Sequence, residues 1–358
     1  MKDIRILAIN PGSTSTKIAI YNNTKSAFLK NIKHSATDLQ KFSAITDQYE
    51  FRKKFILDEL KDAGISIKSF SAIIGRGGLV KPIESGVYEV NEAMLKDLRK
   101  GVMGEHASNL GGLMAHDIAL SIPGARAFIA DPVVVDELQD VARISGHPLF
   151  QRRSIFHALN HKAIGRIHAE STNSNYSELN LIIAHLGGGI SVGAHSRGKV
   201  IDVNNALDGE GPFSPERSGT LPAGCLAKIC YDGRYSLNDV KKMITGRGGL
   251  MAYFNTNDAY EIELRARDGD PKAILIQNAM SYQIGKEIGS MASVLKGRVD
   301  AVILTGGIAH NPMLVSYLKD MVSFIAPVVV YPGEDEMKAL AMNVFMVLTG
   351  KAESKIYN

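Results

Sequence analysis

At 358 residues the chain exceeds what one hydrophobic core usually fills, so two domains are the default expectation. Apolar residues make up 45% and charged ones 22%, ordinary values for a globular protein that needs no disulfides or structural metal. Forty-one basic against thirty-seven acidic residues leave +4, and the basic ones are scattered rather than gathered in a stripe, which argues against nucleic acid as a partner.

The stretch MKDIRILAIN is interrupted by Asp3 and Arg5, so it offers no signal-peptide core. Ile4–Asn10 reads as a strand ending at a Gly/Ser turn, and Lys17–Tyr21 as its continuation. Tyr49–Ala63 has helical periodicity, and its basic run Arg52-Lys53-Lys54, mixed with Asp58 and Glu59, reads as a solvated face. Phe70–Ile74 is a short strand stopping at Gly75-Arg76-Gly77-Gly78, His106–Ile122 a helix, and Ala127–Ala130 a strand ending at Asp131-Pro132. A second set follows: helix Ser154–Glu170, strand Leu181–Ala184, then Ser191–His195 and Lys199–Val203 as a meander. Cys225 and Cys230, five apart in an apolar helical segment, fit neither a zinc site nor a disulfide framework and are expected to be buried thiols in a reducing cytoplasm. A long helix spans Pro271–Leu295, followed by strand Ala301–Leu304 and the turn Thr305-Gly306-Gly307. Met321–Tyr331 is too short to span a bilayer and is broken by Pro327, and Glu336–Leu348 is the last helix. The class is α/β, soluble and cytoplasmic, with no membrane partner.

The informative feature is a repeat. ILAINPGSTSTKIAI from Ile6 can be laid over LIIAHLGGGISVGAH from Leu181: an apolar strand, one polar residue (Asn10 or His185), a Gly-rich turn, another strand. Duplicated domains facing each other are the implied organisation. The pair Gly75-Arg76-Gly77-Gly78-Leu79 and Gly246-Arg247-Gly248-Gly249-Leu250 stands in unlike contexts and reads as coincidence. In Asn10-Pro11-Gly12-Ser13-Thr14-Ser15-Thr16-Lys17, glycine lets backbone approach a phosphate, and turn N–H groups and hydroxyls offer neutral donors. The Walker A spacing occurs nowhere, and the loop joins two strands rather than opening a helix. His185-Leu186-Gly187-Gly188-Gly189 carries three glycines that weaken a strand without a packing reward. Gly306 and Gly307 form a third candidate for close approach.

ILAINPGSTSTK and IIAHLGGGISVGAHSRG resemble the two signature segments of the acetate kinase (acetokinase) family. The resemblance continues in order through Arg76, GEHASNLGG, Ala130-Asp131, IFHALNH, ERSGTLP, LTGGIAHNP and GEDEMKALA, and so covers essentially the whole chain. The variants ASNLGG, DPVVVDE and VIDVNNALDGEGPFSPERSGTLP are similar to the branch acting on butyrate rather than on acetate. The resemblance implies two duplicated actin-like (ribonuclease H-like) domains, residues 1–150 with 338–358 and residues 151–337, with an ATP cleft between them that closes to exclude water. It implies ATP/ADP and Mg²⁺ as cofactors, a homodimer or larger homo-oligomer, and reversible transfer of phosphoryl from ATP to butanoate, with isobutyrate, propionate or acetate as alternatives.

Site roles follow from the same resemblance. Asn10 and Glu336 would serve magnesium, with Glu334 and Asp335 as rivals of Glu336. Gly12, Ser13, Ser15, Lys17, His185, Gly187, Gly188, Gly189, Gly306 and Gly307 would hold the nucleotide. Arg76 and Arg217 would sit at the reacting centre, where a carboxylate must approach an anionic phosphate and fixed guanidinium groups offset the repulsion. His157 would contact the transferring phosphoryl group. Its spacing from His161 would alternatively suit half of a zinc site, for which no third ligand is evident. Asp131 would orient an arginine or cap a turn before Pro132, and His106 would lie on the substrate side. No general base is needed, because a carboxylic acid with a pKa near about 4 is already ionised. The rival class is a chaperone-like ATPase or filament former of the same fold; a chaperone's peptide-binding domain is not expected after Asn358, and neither rival gives Arg76 or Arg217 a task.

Overall fold

In the computed structural model, which describes residues 3–358, the first apolar run forms strand β1 (Arg5–Pro11), burying Ile6, Leu7, Ala8 and Ile9. It continues into β2 (Ser15–Asn22) and β3 (Lys25–Lys33), then β4 (Ala72–Arg76), β5 (Val87–Glu89) and β6 (Arg126–Ala130). A second series comprises β7 (Asn180–Leu186), β8 (Ile190–Ser196), β9 (Lys199–Val203), β10 (Ala301–Gly306) and β11 (Val328–Pro332). β12 (Ser354–Lys355) returns to the edge of the first sheet. Met1 and Lys2 of the N-terminal stretch lie outside the described residues.

The two sheets share one plan. The first has the order β12-β5-β6-β4-β1-β2-β3 and the second β11-β10-β7-β8-β9. In each, three strands form an antiparallel meander whose first member pairs in parallel with a fourth, and that fourth with a fifth. The hairpins differ by one residue in register: Asn10 opposes Lys17 and His185 opposes Ser191, because the second turn, 187–189, is one residue shorter than the first, 12–15. Here the repeat read from the sequence becomes a repeat of topology.

In the first unit the helix Asn109–Leu120 covers the sheet face that carries Leu7, Ile9 and Ile73, each buried side chain stabilising by about 1.5–3 kcal/mol. Its backbone runs hard against β4: a Cβ on Gly75 would stand 2.1 Å from Gly111. This contact explains why GRGG and NLGG both need glycine. The helix Glu336–Leu348 lies against β1, β4 and β6. In the second unit the helix Pro271–Val294, capped by Asp270, packs on Ile182, Ala184, Val192 and Ala194. The other face buries Leu181, Ile183, Ala301 and Ile303 beside Ile164 of the helix Ala158–Ser171.

The compact units are residues 3–135 with 335–358, and residues 136–334. The lines drawn from sequence fell instead at 150 and 337. Residues 136–152 go with the second unit because their polar partners lie there: Gln139 N donates to Ile201 O at 3.0 Å, Val200 N to Glu137 Oε2 at 2.8 Å, and Arg152 Nη1 to Asp202 Oδ1 at 2.9 Å.

Two expectations about burial are corrected. Cys225 and Cys230 are both exposed, since the helix Ala223–Tyr231 buries none of its residues: its apolar composition meets no partner surface among the described residues. Arg52, read as part of a solvated run, is fully buried. Among the described residues, no helix is long and apolar enough to cross a membrane.

Candidate active site

The first loop is built around Arg52. Its Nη1 donates to Gly12 O at 2.8 Å, Ser15 O at 3.0 Å and Thr16 Oγ1 at 3.2 Å, and its Nη2 to Ser13 O at 3.0 Å; Gln48 Oε1 accepts from Nε and Nη2. Gly12 N closes the turn onto Ser15 O at 2.8 Å. These carbonyls are gathered on one cation, while Ser13, Thr14 and Lys17 are exposed. Burial lowers the Arg52 pKa to about 10, so it keeps its charge at neutral pH.

Thr16 Oγ1, which accepts from Arg52, has its own proton to give to His34 Nε2 at 2.9 Å. That bond requires His34 to stay neutral, and its pKa is lowered to about 4 by burial and by the Arg52 charge. Burial also lowers the pKa of His161 and His195 well below the usual 6.5. An unfolded histidine takes up a proton as pH falls through 6.5, whereas these three folded ones refuse it. Stability is therefore complete above 6.5 and declines as pH falls from there toward 4. The thermal midpoint should drop steadily between about pH 7 and about 5, with His34→Gln flattening part of the slope. A midpoint that held level or rose on acidification would contradict this linkage.

At the C-terminal end of β4, Arg76 Nη1 is ion-paired with Glu336 Oε1, and Asn10 Nδ2 donates to Glu336 Oε2 at 2.5 Å. Glu336 thus joins Asn10 and Arg76, which lie far apart in the chain. Its sequence neighbours do other work: Asp335 caps the last helix through Lys338 N at 2.9 Å, and Glu334 Oε2 lies 3.5 Å from His185 Nε2. Asp131, at a left-handed φ of 39°, accepts from Ser85 Oγ at 2.6 Å and Gly86 N at 2.8 Å. His106 is exposed, with Nδ1 2.8 Å from Ser108 Oγ. Asn109 is buried and braces Leu79 N at 2.8 Å and Gly104 O at 3.0 Å.

In the second unit the glycines of the β7–β8 turn divide by function. Gly189 makes room for Arg217, whose Nη1 would stand 1.9 Å from an added Cβ. Gly187 is hemmed in by the His185 ring, and Gly306 by the Leu186 carbonyl. Gly188 and Gly307 are exposed with nothing within 4 Å of where a Cβ would sit. The packing reward thought to be missing therefore exists at Gly187 and Gly189, and open backbone is confined to Gly188 and Gly307. Arg217 is held by the 214–217 turn: Ser214 N donates to Arg217 O at 3.0 Å, and Ser214 Oγ to Gly188 O at 2.7 Å. Its Nη1 donates to Ala206 O at 2.7 Å, while its Nε is a buried donor with no partner among the described residues. The second GRGGL segment underlies this turn, for a Cβ on Gly249 would stand 1.6 Å from Ser214 O.

His157 precedes the helix Ala158–Ser171, its Cε1 3.2 Å from where a Gly189 Cβ would be. It stacks on His185 with ring centroids 3.9 Å apart, and its Nδ1 lies 2.9 Å from Ser191 Oγ. His161 Nε2 meets the same hydroxyl at 2.9 Å, so the i, i+4 histidine pair converges on a serine. His185 Nδ1 donates to Asn160 Oδ1 at 3.0 Å. Asn204 ties Val192 N at 2.7 Å to Ile190 O at 3.1 Å.

The donors present fit the two groups that the sequence implies. Asn10 Oδ1 and the Glu336 carboxylate are hard oxygen donors suited to Mg²⁺, which keeps several waters and takes few protein ligands. Open backbone at Gly188 and Gly307 and the unsatisfied Arg217 Nε suit an anion such as a polyphosphate.

The profile of the acetokinase family matches residues 145–325. Butyrate kinase 2 and butyrate kinase 1 of Clostridium acetobutylicum are each 54% identical to the chain over 353 residues, 99% of this chain and 99% of theirs. This chain belongs to the acetokinase family. Among solved structures, the Porphyromonas gingivalis acetate kinase superposes with a TM-score of 0.79 at 19% identity, covering 96% of this chain and 100% of that one. A propionate kinase from Francisella tularensis gives 0.77 at 19% identity over 95% and 98%. At such identities these two establish the shared fold alone.

In this acetokinase, the residues named from sequence gather within each unit rather than standing singly. Asn10, Arg76 and Glu336 form one cluster; His157, His185, Gly188, Gly189 and Arg217 form another. Asp131 accepts from Ser85 and Gly86, His106 meets Ser108, and Asn109 and Asn204, which marked the substrate branch, act as buried braces. Arg52 was missed. Its signal was present: it lies on one helical stripe with Ile56 and Leu60, at i, i+4 and i+8.

Proposed function

We propose that this chain transfers the γ-phosphoryl group of ATP to the carboxylate of butanoate, giving butanoyl phosphate and ADP, and that it runs in both directions. The whole-length likeness to two butyrate kinases carries the reading. The charge arrangement supports it. Arg217, half-buried with a buried Nε that has no partner among the described residues, is a fixed cation suited to the charge of a transferring phosphoryl group. His157 supplies a hydrogen-bond donor beside it. Arg76, now paired with Glu336, would exchange that partner for the acid's carboxylate, and its guanidinium can bind a carboxylate through two parallel hydrogen bonds. Asn10 and Glu336 would hold Mg²⁺, which neutralises phosphate charge when bound. The exposed backbone at Gly188 and Gly307 would lie along the nucleotide, and Ser13 and Ser15 along its terminal phosphate. No residue is asked to take a proton, because the nucleophile is an anion at neutral pH. The same reading puts the protein in the cytoplasm, as an oligomer of identical chains.

Chain length of the acid is the finest part of the proposal, since one methylene is worth only about 1–3 kcal/mol of discrimination. Trapping the acyl phosphate with hydroxylamine across straight acids of two to five carbons and isobutyrate should give a maximum kcat/KM at butanoate, with measurable activity on its neighbours. A maximum at acetate would overturn the assignment of the acid. No acid-dependent ADP release at all would overturn the reaction.

A further inference from the structure

Behind His157 runs a line of buried hydrogen bonds that the proposed reaction does not use. Tyr176 OH lies 2.6 Å from His195 Nδ1, His195 Nε2 is 3.1 Å from His161 Nδ1, His161 Nε2 is 2.9 Å from Ser191 Oγ, and Ser191 Oγ is 2.9 Å from His157 Nδ1. Ser191, His161 and His195 are wholly buried. We propose that Tyr176, His195, His161 and Ser191 form a proton-ordered wire that holds His157 as its Nε2–H tautomer, presenting a neutral donor to the phosphoryl group.

The argument is one of counting protons. A neutral imidazole has one N–H and one acceptor nitrogen, and a hydroxyl has one proton to give. Ser191 could also accept from both rings, but its own proton, wholly buried, would then have no acceptor among the described residues, a loss of about 1–3 kcal/mol; two complete arrangements of the line remain. In one, Tyr176 donates to His195 Nδ1, His195 Nε2–H to His161 Nδ1, His161 Nε2–H to Ser191, and Ser191 to His157 Nδ1; every ring is then Nε2–H. In the other, every bond is reversed and every ring is Nδ1–H. Both inner rings are neutral, because burial lowers their affinity for a proton and the Lys162 charge lowers it further. Phenol, with a pKa of ~10, is a far better donor than a neutral imidazole N–H, so Tyr176 gives its proton and sets the direction. At the other end Nε2–H of His157 is left as the donor, adjoining Cε1, which faces Gly189 and the Arg217 guanidinium. A donor so fixed needs no reorganisation as charge develops.

Tyr176, His195, His161 and Ser191 are positioning residues, and the presence of a target for the donor rests on the phosphoryl-transfer reading. The tautomer itself does not, so the two fail separately. In the full-length protein labelled with ¹⁵N-histidine, long-range ¹H–¹⁵N correlation reads which nitrogen of each ring carries the proton, with rings assigned through single His→Gln variants. We expect His157, His161 and His195 all to be Nε2–H. Three Nδ1–H rings, or a mixed set, would overturn the wire without touching the reaction, whereas loss of acid-dependent ADP release in the wild type would overturn the reaction and leave the spectrum as it is. Ser191→Ala should lower kcat about 10–100-fold with both KM values within about twofold, and an Nδ1–H signal from His157 should appear. A comparable loss of kcat with the His157 signal unchanged would reduce Ser191 to a packing role and sink the proposal.

Discussion

Arg217→Ala should lower kcat for acid-dependent ADP release by about 10³-fold, roughly 4 kcal/mol of transition-state stabilisation, while leaving folding stability within about 1 kcal/mol. The two halves of this expectation come from the same atoms. Arg217 is desolvated, and burial holds its pKa below the usual guanidinium value. Among the described residues its guanidinium makes one hydrogen bond, Nη1 to Ala206 O at 2.7 Å, and its Nε has no partner. A cation kept in that condition contributes little to the fold and is costly unless an anion arrives to meet it. Gly189→Ala is the companion variant: it keeps Arg217 but sets a methyl 1.9 Å from the present position of Nη1, so the guanidinium must move. Its kcat should fall by about 10-fold or more, since a displaced donor forfeits most of its electrostatic advantage. Survival of turnover within about tenfold in Arg217→Ala would mean that phosphoryl transfer happens elsewhere.

Arg52→Met should destabilise the protein by about 3 kcal/mol or more and raise KM for ATP by at least about tenfold. Methionine fills most of the volume but donates nothing. The carbonyls of Gly12, Ser13 and Ser15 would then lose their shared donor, as would Thr16 Oγ1 and Gln48 Oε1, and each buried acceptor left unmet costs about 1–3 kcal/mol. The loop would relax toward water and stop presenting its hydroxyls in one direction. Arg52→Lys should recover only part of the effect, because an ammonium cannot span the bonds that the planar fork reaches. Urea unfolding together with ATP titration of kcat/KM tests both parts. A folded variant whose KM for ATP stayed within about twofold of wild type would show that the loop's shape is set by something other than Arg52.

What was legible in the sequence was whatever depends on neighbours along the chain. The strand–turn–strand pattern at Ile6 and at Leu181 became two antiparallel hairpins, because alternation and glycine placement act locally. The last helix came out with the same limits, Glu336–Leu348, because Asp335 and Glu336 sit where a helix start wants acidic residues. The short strands β5, β11 and β12 and the outer strand β3 went unread: two to five residues, or a polar nine-residue run, carry too little pattern. The exposed Cys225–Cys230 helix misled because its composition is apolar, and composition does not say whether a covering surface exists.

Asn10–Lys17 is legible from its residues alone as a hairpin turn rich in donors, and His185–Gly189 as its counterpart. Which groups surround them depends on long-range packing. Arg52 lies buried under the first turn and Arg217 over the second. Glu336, from the far end of the chain, joins Asn10 to Arg76, and Tyr176 reaches His157 through three buried side chains. Each of these meetings spans residues that no local periodicity links. The physical reason is that hydrophobic patterning fixes which face of a strand or helix turns inward, while the partners of a buried polar group are chosen by hydrogen-bond geometry after the elements have packed.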